Sequence, residues 1–319
     1  MASLREQVRN ELLQFWGNSF VEYSSEYKYY VKEVKDNLFG EEMSPEHQKM
    51  FANGSGSELD DKKTPAKAKA IDSSSMLSYN FFRYVDESHP LKIDGVEYDK
   101  VFFEVKLRTL RTRSNPANID VVLVSKDKKA ILFIESKFLE YLESGSTYFS
   151  KSYTNDGYKS YYYDSNRESE DLHEISKRFH NKPKSYNYGI KQNICHLIGI
   201  SNLKNAKDAQ SKFEELYGDK KNKEIYKDLV DAAISEDVSY KFMNIVFWPS
   251  NEKASKKCNQ YIDELVSFRS NIPPVLQQYI SNTFIITYKD LYDLLNDKLS
   301  VRDKLEERYI KYHSEKKFL

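Results

Sequence analysis

The chain is 319 residues long, 39% hydrophobic, 14% aromatic and 31% charged, enough apolar material for a core and too much for a disordered tail. Its 49 basic and 49 acidic residues cancel, so no global charge argues for a polyanion partner and any such site must be a local patch. Two cysteines, Cys195 and Cys258, exclude a disulfide framework and a paired-cysteine zinc motif. No stretch approaches the ~20 apolar residues of a membrane span, and the N-terminus lacks the apolar run of a signal peptide; the expectation is a soluble cytoplasmic protein.

Residues 3–17 and 20–38 read as two charged amphipathic helices, the first with Leu4, Val8, Leu12 and Phe15 at helical spacing. A short third helix over 41–52 completes an N-terminal helical extension, residues 1–51. Residues 52–70, rich in Gly, Ser and Lys, read as a flexible loop or linker. A core spans 71–250. It opens on a helix whose N-cap comes from Asp72–Ser75 and whose apolar face is Met76, Tyr79, Phe82 and Val85. Strands follow at 98–107, 118–125 and 130–137, the last two joined by the polar turn Lys126–Lys129. Residues 144–167 form a Tyr-rich insert without periodicity. Helices are expected at 184–203, 206–217 and 221–234, then a strand at 240–248 stopped by Pro249. Residues 251–319 form a C-terminal extension with a helix near 253–270, a strand at 283–287 and a helix from 288. The core order, α-β-β-β-α-β, points to an α/β fold with a central mixed sheet flanked by helices.

Strands 118–125 and 130–137 make a hairpin. With the turn centred between Asp127 and Lys128, facing residues have numbers summing to about 255, set by the pairing geometry. Val122 then faces Phe133, Asp120 faces Glu135 and Asn118 faces Lys137; the strand period puts Glu135 and Lys137 on one face. Two opposed carboxylates beside the apolar runs VVLV and ILFI repel and destabilise the hairpin, and a local rule broken in this way marks a functional site. A hard divalent cation, Mg²⁺ or Mn²⁺, removes the conflict, and Lys137 adds positive charge where a phosphate oxygen or an attacking water could sit. The bland reading is a solvated strand end whose facing register is coincidence.

Asn115–Asp120 followed by Ile134-Glu135-Ser136-Lys137 resembles the PD-(D/E)XK signature of restriction-endonuclease-like nucleases, and the helix with Ser74, Ser75, Asn80, Phe81 and Phe82 resembles the helix that precedes it in several branches. The resemblance covers about residues 71–250. One departure is that Ala117, Asn118 and Ile119 separate Pro116 from Asp120. The resemblance implies a metal-dependent nuclease acting on nucleic acid, DNA in the first instance, with Asp120 and Glu135 as metal ligands and Lys137 beside them. It also implies an upstream acid, for which Glu104 is the best match, and a glutamine on the following helix, for which Gln192 is. His196, one turn after Gln192, shares its face; a structural role is the more frequent reading for such a histidine. Many relatives pair to cut two strands, so a homodimer is allowed.

Lys106, Arg108, Arg111 and Arg113 place four cations just before the Asp120 strand, where they could bind phosphate backbone or form a plain solvated surface. Tyr148, Tyr153, Tyr158, Tyr161, Tyr162 and Tyr163 of the insert could stack bases, although a structural tyrosine-rich loop is the commoner case. The alternative function is a catalytically silent nuclease-fold module that binds nucleic acid or protein, against which the complete trio argues.

Overall fold

The computed structural model describes residues 2–17, 22–54, 58–61, 65–110, 116–143, 149–154, 167–180, 188–216, 224–297 and 299–313. Six strands, β1 (Leu91–Ile93), β2 (Val96–Leu107), β3 (Ala117–Ser125), β4 (Ala130–Lys137), β5 (Ser239–Val246) and β6 (Ile280–Thr287), form one sheet in sequence order. β1 to β4 are an antiparallel meander, whereas β5 and β6 join parallel to β4 and to each other. Before the sheet come α1 (Leu4–Trp16), α2 (Pro45–Asn53) and α3 (Ser74–Phe82). Between β4 and β5 lie α4 (Lys151–Thr154), α5 (Arg167–Phe179), α6 (Tyr188–Asn205), α7 (Ala209–Glu215) and α8 (Lys227–Ala233). Helix α9 (Glu252–Ser270) precedes β6, and α10 (Tyr288–Leu294) and α11 (Arg302–Arg308) follow it.

Strand β4 is buried at every position, which is why its sequence is a continuous apolar run rather than an alternation. The turn before it is fixed locally. Asp127 Oδ1 accepts from the Lys129 N–H at 3.0 Å and from Ser125 Oγ at 2.6 Å, and Lys128 takes a left-handed φ of 57°. Successive side chains of β4 point to opposite faces. Ser136 Oγ meets Tyr288 of α10 and the Ser74 carbonyl of α3, whereas Glu135 meets His196 of α6. Helices α3 and α6 therefore cover opposite faces of the central strands.

The α-β-β-β-α-β core expected from the sequence is present as α3-β2-β3-β4-α6-β5, extended by β1 at one edge and β6 at the other. Three differences stand out. No α-helix occupies the described part of 20–38: Ser24 Oγ accepts from the Glu26 and Tyr27 N–H groups, turning the chain so that Tyr23 bridges Val31 and Tyr30 bridges Ala70, before a short 3-10 helix at Val34–Leu38. Helix α5 was hidden by charge density; its apolar stripe is Leu172, Ile175 and Phe179, all buried. The C-terminal helix from 288 is two short helices, because the chain leaves helical geometry at Leu295.

Helix α1 is tied to the core by a buried anchor. Arg5 Nε and a terminal nitrogen of Arg9 lie 2.7 and 2.8 Å from the carboxylate of Asp72, immediately before the Ser73 cap of α3. The segment before α3 is also packed: Asn37 donates to the carbonyls of Ala68 and Ala70 at 2.6 and 2.9 Å.

Candidate active site

The β3–β4 ladder pairs Val124 with Ile131, Leu123 with Leu132, Val122 with Phe133 and Val121 with Ile134, the register expected from the turn. One step further Asp120 stands level with Glu135. Between β2 and β3, the pairs Phe103–Val121 and Val105–Ile119 bracket Glu104 against Asp120. Glu104, Asp120 and Glu135 thus form one row across three adjacent strands. The ladder gives way at this row: the Ser136 N–H donates to Asp120 Oδ2 at 2.6 Å.

On the β4 side of the row the charges are matched. Lys137 Nζ donates to Glu135 Oε1, and His196 Nε2 of α6 lies 2.7 Å from Glu135 Oε2. All three side chains are buried. Burial pushes the Glu135 pKa up, but Lys137 and His196 outweigh it and hold the carboxylate down at about 2. Burial disfavours the Lys137 ammonium, yet Glu135, Glu140 and Asp120 raise its pKa well above the ordinary lysine value. Helix α6 is fixed beside this pair by a reciprocal amide contact, Asn193 to Asn244 at 3.2 and 3.0 Å, with Asn244 level with Glu135 in the parallel ladder.

On the β2 side the charges are not matched. Glu104 is buried and has a φ of 52°, the one non-glycine residue with positive φ inside a described strand. Such a conformation costs on the order of 1–3 kcal/mol and persists only where the surroundings impose it. Ser75 Oγ of α3 donates to Glu104 Oε1 at 3.0 Å, and Asn118 Nδ2 donates to Oε2. Gly54, at the end of α2, leaves room for the glutamate: a Cβ there would stand 3.1 Å from Glu104 Cβ. Burial and the neighbouring Glu58 raise the Glu104 pKa to about 7, against the opposing hydrogen bonds. Asp120 is raised well above the ordinary aspartate range by burial and by Glu135 and Glu104, which Lys137 only partly offsets. Glu58, itself buried, has its pKa raised by burial despite Lys67 at 3.7 Å.

Of the residues singled out in the sequence, the fold brings Glu104, Asp120, Glu135, Lys137 and His196 together at this row. Gln192 lies on α6 one turn before His196, half-buried, its Oε1 buried without a hydrogen-bond partner among the described residues. Lys106 follows Glu104 on the same strand, in register with Asn118, and burial lowers its pKa. Arg108 is exposed just past the end of β2. Arg111 and Arg113 lie outside the described residues, as do Tyr148, Tyr158, Tyr161, Tyr162 and Tyr163. Tyr153 is buried, with its hydroxyl 2.9 Å from Thr109 Oγ1, so it serves packing. Ser75, named only as part of the helix resemblance, and Asn118, named only for its strand register, were given no site role, and Glu58 was not named. Asn118 had a signal, being two residues from Asp120 on the same strand face; Glu58 had none, because its approach is purely tertiary.

Among the described residues, no group of three or more His, Cys, Asp or Glu side chains is arranged to hold a metal ion. The physical reason is that Glu135 turns to Lys137 and His196 while Glu104 turns to Ser75 and Asn118. The donor chemistry nonetheless fits a hard divalent cation. The row supplies carboxylate oxygens, two of its members have pKa values raised by burial and by neighbouring carboxylates, and the neighbouring Asn118 Oδ1 is buried with no hydrogen-bond partner among the described residues.

A mixed sheet with helices on both faces, entered through α3 and the β2–β4 meander, is the core of the restriction-endonuclease-like class. The chain belongs to the REase-ARP family, described as a restriction endonuclease associating with ARP, whose model matches residues 2–310. No curated protein and no solved structure matches it. No helix among the described residues is long and apolar enough to cross a membrane.

Proposed function

We propose that this protein is a metal-dependent nuclease that hydrolyses phosphodiester bonds, in DNA, in the cytoplasm. The observation that carries the reading is the acid row Glu104–Asp120–Glu135, with the buried Lys137 at its end. Asp120 and Glu135, with Glu104, hold Mg²⁺ or Mn²⁺; the ion would polarise the phosphate and activate a water when bound. Lys137 is a permanent cation in this environment, so it is suited to stabilise the charge that builds on the phosphate oxygens and unsuited to take a proton from water. Gln192 orients the substrate or a water through its unpaired oxygen. Lys106, Arg108, Arg111 and Arg113 track the phosphate backbone. Two copies pairing would let both strands be cut, and the family description adds ARP as an associate.

The reading predicts Mg²⁺-dependent cleavage that both Asp120→Ala and Lys137→Ala abolish; full activity in either variant would end it. One observation favours a second reading, a nuclease-fold module that binds without turnover: Glu135 is already fully paired with Lys137 and His196. Calorimetric titration with Mn²⁺ separates the two. Absence of metal binding with nucleic-acid affinity retained would select the silent module.

A further inference from the structure

Helix α9 lies outside the strands and helices that carry the acid row, yet it brings Tyr261 to the Lys137 end of β4. The 3-10 turn Glu140–Leu142 follows that strand directly, and α9 packs on it. Within this turn Tyr141 stacks on Tyr261, with ring centroids 5.7 Å apart and planes at 21°, and is itself fixed by donating to the Phe247 carbonyl at 2.6 Å. On its other side the Tyr261 ring lies against Gly189 of α6, so closely that a Cβ at that position would stand 2.5 Å from the phenol oxygen. Gly189, Gln192 and His196 follow one another along the α6 face that meets Glu135. Tyr261 is therefore wedged between the strand end bearing Lys137 and the helix face bearing His196.

Its hydroxyl does nothing there for the fold. Tyr261 is 1% exposed, and its phenol oxygen has no hydrogen-bond partner among the described residues. Buried hydroxyls are satisfied in the great majority of cases, and leaving one unmet costs stability. A phenylalanine would fill the same space without that cost. Burial, with Glu135 and Glu140 in support and Lys137 opposed, raises the phenol pKa, so the group remains an O–H donor.

We infer that Tyr261 is a further catalytic residue, donating its O–H to a non-bridging phosphate oxygen of the nucleic-acid backbone held beside Lys137. The inference rests on the nuclease reading. A hydroxyl fixed in advance at a water-poor site acts on developing charge without reorganising, so it contributes to turnover more than to initial binding. The phenol keeps its proton throughout; no covalent bond to the tyrosine forms.

The test is Tyr261→Phe in the full chain, with Asp120→Ala as the inactive reference. Cleavage of a DNA duplex with Mg²⁺ is followed as kcat and KM, alongside thermal melting of the same preparations. The expected result is a kcat lowered by about a hundredfold, a KM nearly unmoved, and a melting temperature equal to or above that of the wild type. Unchanged kcat would overturn the inference. A loss of activity that comes with a lower melting temperature would also overturn it, because the hydroxyl would then be structural. Gly189→Ala supplies an independent check, since the added methyl must displace the ring: kcat should fall there too, and an unchanged kcat with a displaced ring counts against the role. A wild type that does not cleave, like Asp120→Ala, refutes the nuclease reading and this inference with it.

Discussion

The two halves of the acid row differ in how their charges are met. On β4, Glu135 has an ammonium and an imidazole within hydrogen-bond reach and stays ionised. On β2 and β3, Glu104 and Asp120 lie beside each other with neutral partners or a backbone amide, Glu58 adds a like charge to Glu104, and both carboxyl pKa values are raised. The backbone follows the same division: β4 is regular, while β2 takes a left-handed residue at Glu104. One half is stable as it stands. The other carries like charges that Lys137 only partly offsets, and on the proposed reading a bound cation would meet them.

Breaking the matched half should have the largest effect. Lys137→Ala leaves Glu135 buried with only His196, and loss of one partner from a buried pair costs on the order of 3–5 kcal/mol. Urea denaturation should show that loss together with the loss of cleavage. A variant that is inactive yet fully stable would mean that Glu135 does not depend on the lysine.

Metal addition acts on the unmatched half. An ion at about a hundred times its Kd stabilises a folded chain by about 2.7 kcal/mol. The pH dependence has a definite sign. Glu104 has its folded pKa raised from 4.5 to about 7, so the stability it confers without metal is present below pH 4.5 and is lost as pH rises through 7. Asp120 shifts in the same direction. Thermal melting should therefore show apoprotein stability declining from pH 5 to 8. Stabilisation by Mg²⁺ should be greater at pH 8 than at pH 5.5, where protons compete for the same oxygens. An Mg²⁺ effect independent of pH would place the ion elsewhere.

Smaller effects sharpen the contrast. Glu104→Gln removes a like charge while keeping the shape, so at pH 8 without metal it should raise stability by about 1 kcal/mol, and the Mg²⁺-induced shift should shrink. The opposite sign would show that the ionised glutamate is satisfied as it stands. Gly54→Ala should cost roughly 1 kcal/mol or less, as its methyl presses on Glu104 Cβ and on the Phe51 carbonyl 3.0 Å away. Metal affinity should weaken in parallel if Glu104 must keep its place.

These features were legible in the sequence to different depths. The β3–β4 register could be read because two apolar runs flank a four-residue polar turn, and a slip of one residue would turn Glu135 away from Asp120. The α3, α6 and α9 segments carried clear helical spacing. What sequence reading missed falls into two groups. Helix α5 is local but was masked by its charges, and residues 20–38 carried charges at helical spacing while Ser24 and the contacts of Val31 and Tyr30 committed the chain to turns and bridges. Other neighbours of the row are non-local: Glu58 approaches Glu104, and Tyr261 approaches Lys137, from separate segments, and no short-range pattern announces them, whereas Ser75 lay in the helix whose residues carried the resemblance. The left-handed backbone at Glu104 is likewise invisible in VFFEV.

The central claim is that the acid row holds a divalent cation, and the most direct test is a crystal soaked in Mn²⁺ with anomalous diffraction measured. The account predicts one peak between Asp120 and its neighbours Glu104 and Glu135, with oxygen distances of about 2 Å and Glu135 turned from its present pairing. No peak there at millimolar Mn²⁺, with Glu135 still bound to Lys137 and His196, would contradict it.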